Sequence, residues 1–126
     1  MQRRKLSEDQ LVRLLQVAIE QTRREIEPAM PASKLLLLIQ TVRNPGARRS
    51  RIMRLVPGVS TTACDRHLTD WGAVDKEGAP SVDFIQQRRA PGYRRRKLVY
   101  PTPLGFEFFE SLTHSVNVAF SKMQRP

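Results

Sequence analysis

The sequence predicts a mainly α fold with one small β-hairpin, an α+β arrangement in which the hairpin is the minor part. Three observations lead there. Apolar residues recur at helical spacing in several separate stretches, prolines and glycines fall between those stretches, and runs of strand formers are confined to residues 82–100. A chain of 126 residues suits one compact core, so residues 1–126 are read as a single domain.

Ser7 followed three residues later by Gln10 has the form of a capping box, and Leu11, Leu14, Leu15, Ala18, Ile19 and Thr22 follow at helical spacing. A helix is expected over 7–25. Pro28 and Pro31 interrupt it, and a second helix is expected from Pro31, suited to a first helical position, to Arg43. Its Leu-rich middle is apolar nearly all round, the pattern of a buried central helix. Asn44-Pro45-Gly46 stops it. A short helix over 48–56 would turn Ile52, Leu55 and Val56 inward, Pro57-Gly58 forces a turn, and Ser60 caps a further helix over 61–71 that Gly72 ends. Two short helices around a turn form a helix-turn-helix. Val82 to Gln87 and Lys97 to Tyr100 read as the strands of a hairpin with an arginine-rich tip. Thr102-Pro103 then starts a last helix over 103–124, where Leu104, Phe108, Phe109, Leu112, Val116, Phe120 and Met123 make an apolar stripe too long for so small a domain to cover easily.

Charge narrows the partners. Twenty-two Lys and Arg stand against 12 Asp and Glu, a formal charge of +10 and a pI near 11.0, so a polyanion is the natural partner. The longest apolar run, Leu35 to Ile39, is far short of the ~20 residues that cross a bilayer. The basic residues cluster on the helix-turn-helix and the hairpin, and not along one amphipathic helix, which argues against a membrane surface. One cysteine, Cys64, leaves no internal disulfide, no zinc cluster is spaced for metal, and no cofactor is expected. The chain is expected to be soluble and cytoplasmic.

Three stretches carry a family resemblance. Leu55-Val56-Pro57-Gly58-Val59-Ser60 looks like the turn before a recognition helix. Leu68-Thr69-Asp70-Trp71-Gly72-Ala73-Val74 is similar to a Leu-x-x-x-Gly-Leu-Val helix exit. Arg94-Arg95-Arg96-Lys97-Leu98-Val99-Tyr100-Pro101-Thr102-Pro103-Leu104-Gly105 resembles a basic wing strand leading into a last helix. Together they resemble the multiple-antibiotic-resistance-regulator (MarR) family of winged helix-turn-helix transcription factors. Thr61 and Asp65 depart from it, standing where that family places apolar residues, and the stretch from Gly72 to Gly105 is longer than usual, with the excess around 75–81. The resemblance implies a DNA-binding core and wing over 31–101, flanked by N- and C-terminal dimerisation helices at 7–25 and 103–124, and hence a homodimer that regulates transcription on the nucleoid.

On the recognition helix, Ser60, Thr62, Ala63 and Arg66, with His67 and Asp70 beside them, would face double-stranded DNA, while Cys64, Leu68 and Trp71 face the core. Arg66 has the chemistry to bridge guanine O6 and N7, or to hold a phosphate. Ser60 either positions the backbone or serves only as a cap. The wing carries Arg88, Arg89, Tyr93, Arg94, Arg95, Arg96 and Lys97, suited to phosphates or a narrow minor groove. Tyr93 stacks on sugar or packs in the loop. Arg48, Arg49, Arg51 and Arg54 suit backbone contacts, with no acid close in sequence to balance them.

Cys64 and His67 stand one turn apart, but a helix surface supplies neither oxyanion donors nor a third group, so the pair is not read as catalytic and the chain is not expected to be an enzyme. Burial would raise the Cys64 pKa and make it inert. Two other uses of the scaffold stay open: a low-specificity architectural nucleic-acid-binding protein, and an adaptor that holds a protein partner in the transcription machinery such as an RNA polymerase subunit.

Overall fold

A computed structural model of the chain describes residues 5–93 and 95–124. The elements run α1 (Glu8–Glu25), α2 (Ala32–Arg43), β1 (Ala47–Arg48), α3 (Arg49–Arg54), α4 (Thr61–Asp70), β2 (Ile85–Arg89), β3 (Lys97–Pro101) and α5 (Pro103–Met123). The chain divides into two compact units, one of Met1–Ala29 with Phe108–Pro126 and one of Met30–Glu107, so α5 contributes its first turn to the second and the rest to the first.

In the first unit α1 starts as its capping box dictates: Ser7 Oγ accepts the Gln10 N–H at 3.1 Å and Gln10 Oε1 accepts the Ser7 N–H at 2.9 Å. Glu8 and Asp9 lie in the first turn and Arg23 and Arg24 in the last, matching the helix dipole at both ends. Gln21 Nε2 donates to Ser111 Oγ of α5 at 3.3 Å, and Phe108 packs edge-on against Phe109 with centroids 5.2 Å apart. The buried residues of α1 are Gln21 and Thr22, whereas Leu11, Val12, Leu15 and Ile19 are 47, 62, 51 and 48 % exposed.

The second unit is held by Leu37, Leu38, Ile52, Val56, Cys64, Leu68, Trp71, Ile85 and Val99, all buried. Trp71 sits at its centre. The indole Nε1–H donates to the Lys34 carbonyl of α2 at 2.7 Å, the ring stacks on Phe84 at 5.8 Å, and the Trp71 carbonyl accepts both the Phe84 and Ile85 N–H groups at 2.7 and 2.9 Å. The sheet has the order β1-β3-β2, antiparallel throughout, with Gln87 opposite Val99, Arg88 opposite Leu98 and Arg48 also opposite Leu98 from the other side.

Several expectations need correction. The strand β1 was not foreseen, because two residues after a Pro-Gly turn carry no strand pattern and pair only once β3 lies beside them. The first hairpin strand runs Ile85–Arg89 and not 82–87: Asp83 takes a left-handed φ of 57°, and Phe84 is bound to Trp71. Pro31 is the N-cap of α2 and not its first residue. That helix is buried on one side only, through Lys34, Leu37, Leu38 and Thr41, while Leu36 is exposed. Leu55 is exposed as well, because α3 ends at Arg54 and the helical period stops governing where the next side chain points.

Among the described residues no helix is long and apolar enough to cross a membrane. Thr102 caps α5, its Oγ1 accepting the Gly105 N–H at 3.2 Å. The helix then passes so close to the strand segment that a Cβ on Gly105 would lie 2.7 Å from the Phe84 carbonyl oxygen. Alanine ordinarily strengthens a helix by about 1 kcal/mol over glycine, but here it would have to push backbone apart. Gly105→Ala is therefore expected to destabilise the chain, by about 1–3 kcal/mol, read as a lower urea midpoint.

Candidate nucleic-acid interface

The helix-turn-helix is built from α3, the turn at Pro57-Gly58 and α4. Gly58 has φ of 83°, which a side chain rarely adopts, and Ser60 Oγ caps α4 by accepting the Ala63 N–H at 3.1 Å. Cys64, Leu68 and Trp71 are buried as their phase predicts. The opposite face therefore carries Thr62 and Arg66, both exposed, with Thr69 partly exposed beside them. Ala63 and His67 are half-buried on the flanks. Asp70 is taken up by the following loop: Oδ1 accepts the Lys76 N–H at 3.3 Å and its carbonyl accepts the Ser81 hydroxyl at 2.5 Å.

The arginines of the first helix are not equivalent. Arg48 lies in β1 and is the N-cap of α3, exposed; Arg51 and Arg54 are exposed on α3. Arg49 is different, since its Nη1 lies 3.5 Å from Asp65 Oδ1 of α4 and 3.5 Å from Gln87 Oε1 of β2. The expectation that no acid balances this cluster is thus corrected: the turn folds Asp65 back onto Arg49. That pairing also explains a carboxylate at a position where an apolar residue was anticipated. Among the described residues buried Asp65 Oδ1 has no hydrogen-bond partner and faces Arg49 in this ion pair, so Arg49 brackets α3, α4 and β2 in addition to any outward role.

The wing is the hairpin of β2 and β3, closed by the Ala90 N–H donating to the Arg96 carbonyl at 2.8 Å. Its cations are partly pre-ordered. The Arg96 guanidinium lies over Tyr93 at 4.4 Å, and Arg88 lies over Tyr100 at 4.8 Å while donating to Gln86 Oε1 at 3.0 Å. Tyr93 itself is 56 % exposed. Arg89, Arg95 and Lys97 are exposed, and Arg94 lies outside the described residues.

An open cleft of about 440 Å³ joins the two parts, lined by Arg48, Arg49, Thr61, Arg95, Arg96 and Lys97 among others. The start of α4 faces this cleft, so the cationic side chains and the positive end of the helix dipole act on the same space. A second groove, about 270 Å³, runs along the outer face of α4 between Thr62, Asp65, Arg66, Thr69 and Lys76. Thr69 and Lys76 were missed by sequence reasoning. Thr69 shares the phase of Thr62 and Arg66 and was readable; Lys76 reaches the groove only through the fold of its loop. Among the described residues no group of three or more His, Cys, Asp or Glu side chains is placed to hold a metal ion.

A basic helix-turn-helix backed by a three-stranded sheet with a basic hairpin defines a winged helix-turn-helix. The chain as a whole is similar in structure to MarR (TM-score 0.54, 18 % identity, 91 % of this chain and 83 % of that one). It is similar also to the PcaV transcriptional regulator from Streptomyces coelicolor, both in the structure solved with its natural ligand (TM-score 0.53, 19 % identity, 98 % and 80 % covered) and in a second structure of it (TM-score 0.56, 18 % identity, 91 % and 80 % covered). At such identities the likeness is one of fold, and the fold is MarR-like. No protein-family model and no curated protein sequence matches the chain.

Cys64 lies under this face, buried, and its thiol pKa is raised by burial and by the neighbouring Asp65 carboxylate. Native protein should therefore react with a thiol reagent at pH 8 more slowly than urea-unfolded protein. The unfolded chain releases this proton first, so the stability that the neutral thiol contributes should decline as pH rises above about 8.5. Denaturant titrations of wild type and Cys64→Ala at pH 7 and 9.5 check the sign, the decline being smaller in the variant.

Proposed function

We propose that the chain is a sequence-selective, double-stranded DNA-binding transcriptional regulator, with α4 in the major groove and the wing on the backbone or in the adjacent minor groove. One observation carries this reading: the exposed Thr62–Arg66 face of α4 and the cleft of Arg48, Arg95, Arg96 and Lys97 belong to one unit. A helix fits the major groove, where Arg66 can meet base edges, while the cleft cations neutralise phosphates. Arg51, Arg88 and Arg89 add charge around this surface, and Ser60 and Ala63 line the start of the helix that enters the groove. The likeness to the PcaV transcriptional regulator supports the same reading.

The chain works as one winged-helix domain inside the cell and pairs with a second copy. Support for pairing comes from α1, which buries Gln21 and Thr22 and leaves Leu11, Val12, Leu15 and Ile19 in solvent, the inverse of what a monomeric helix does. A two-fold pair presents two recognition helices to two half-sites. Hydrodynamic mass at micromolar concentration is expected near twice 14.5 kDa; a clean monomer overturns the two-half-site arrangement.

Selection of duplexes from a random pool, followed by titration of the enriched and an unrelated duplex at several salt concentrations, tests the main proposal. A preference of at least ~1000-fold is expected. Equal, steeply salt-dependent binding would make the chain an architectural protein, and no binding would turn attention to a protein partner in the transcription machinery. Arg66→Ala should relax preference at one base pair of each half-site, whereas Arg95→Ala should weaken all duplexes alike.

A further inference from the structure

Residues 75–81 are the stretch in excess of the resemblance, and their fold is specific. Asp75 Oδ1 accepts the Glu77 and Ala79 N–H groups, both at 2.9 Å, and the Asp75 N–H donates to the Ala79 carbonyl at 2.8 Å. Val74 and Pro80 pair across its neck. The loop is then tied to the end of α4 through Asp70, by the Lys76 N–H on Oδ1 and the Ser81 hydroxyl on the carbonyl. These ties bring Lys76, exposed, into the groove that Thr62, Arg66 and Thr69 line on the outer face of α4.

We propose that this loop is an additional DNA-contacting element, in which Lys76 binds a backbone phosphate at the edge of the major groove that α4 enters. The inference rests on the DNA-binding reading above. Of the acids near this surface, Asp65 Oδ1 faces the Arg49 cation, whereas Asp70, which accepts the neutral loop amide, and exposed Glu77 keep their charge. Arg66 and Lys76 nevertheless line one groove, so a duplex strand passing the outer face of α4 meets both cations. A lysine is a flexible point charge suited to a phosphate, whereas a base edge is better read by a planar fork such as Arg66. Groove position therefore divides the labour between the two.

Lys76→Ala, Lys76→Arg and Asp75→Ala are to be titrated with the selected and an unrelated duplex across a salt series. Lys76→Ala should weaken both duplexes by a common factor and make the slope of log K against log salt shallower by about 1, and Lys76→Arg should restore both. Asp75→Ala removes a negative charge, so simple electrostatics would tighten binding; loss of the loop's internal bonds should weaken it instead. An unchanged slope in Lys76→Ala while wild type binds overturns this inference alone, and a loss confined to the selected duplex overturns the phosphate assignment. Tighter binding by Asp75→Ala overturns the positioning role of the loop. Failure of wild type to bind any duplex overturns the inference together with the DNA-binding reading, and so is distinguishable from the rest.

Discussion

Trp71 ends α4, and the second unit is organised around how that one residue is held. Its indole N–H satisfies a carbonyl of α2, its ring lies on Phe84, and its own carbonyl receives two amides from the chain entering the wing. A large buried aromatic with a polar edge must find a partner for that edge, and here the partner fixes α4 against α2. The same residue fixes where β2 begins, and through the register of β2 with β3 it sets the position of the wing. Helix and wing are therefore placed by a shared support.

Charge is distributed by the same logic of engagement. Two acids beside the basic surface are held, Asp65 by Arg49 and Asp70 by the loop amide of Lys76. Half-buried pairs of this kind are worth little as stabilisers but costly to break, since one buried oxygen would be left alone. Arg48, Arg66, Lys76, Arg95 and Lys97 remain exposed around them. Aromatic faces beneath Arg88 and Arg96 restrict two further guanidiniums.

The first unit shows a different imbalance. Its α1 places Gln21, bonded to Ser111, and Thr22, bonded to the Ala18 carbonyl, on the inside. Four large aliphatic side chains are left outside on the same helix. Each is about half exposed, so covering it would contribute about 0.7–1.5 kcal/mol, half of a full burial, and a covered face is favoured. A winged-helix fold with such terminal helices is what the chain shares with MarR and PcaV at the level of architecture.

Features set by neighbours in the chain were legible in the amino-acid order alone: the capping box of Ser7 and Gln10, the Ser60 and Thr102 caps, the Pro57-Gly58 turn, and the inward phase of Cys64, Leu68 and Trp71. Each depends on interactions within one helical turn, which residue spacing encodes directly. The basic character of helix and wing was equally plain, because charge is a property of composition. Only the tertiary structure decided that Asp65 pairs with Arg49, that Ala47 and Arg48 form a strand, that the first hairpin strand begins at Ile85, and that Lys76 joins Arg66 on one groove. Those outcomes rest on groups distant in sequence meeting in space, and no local period records which distant group will arrive.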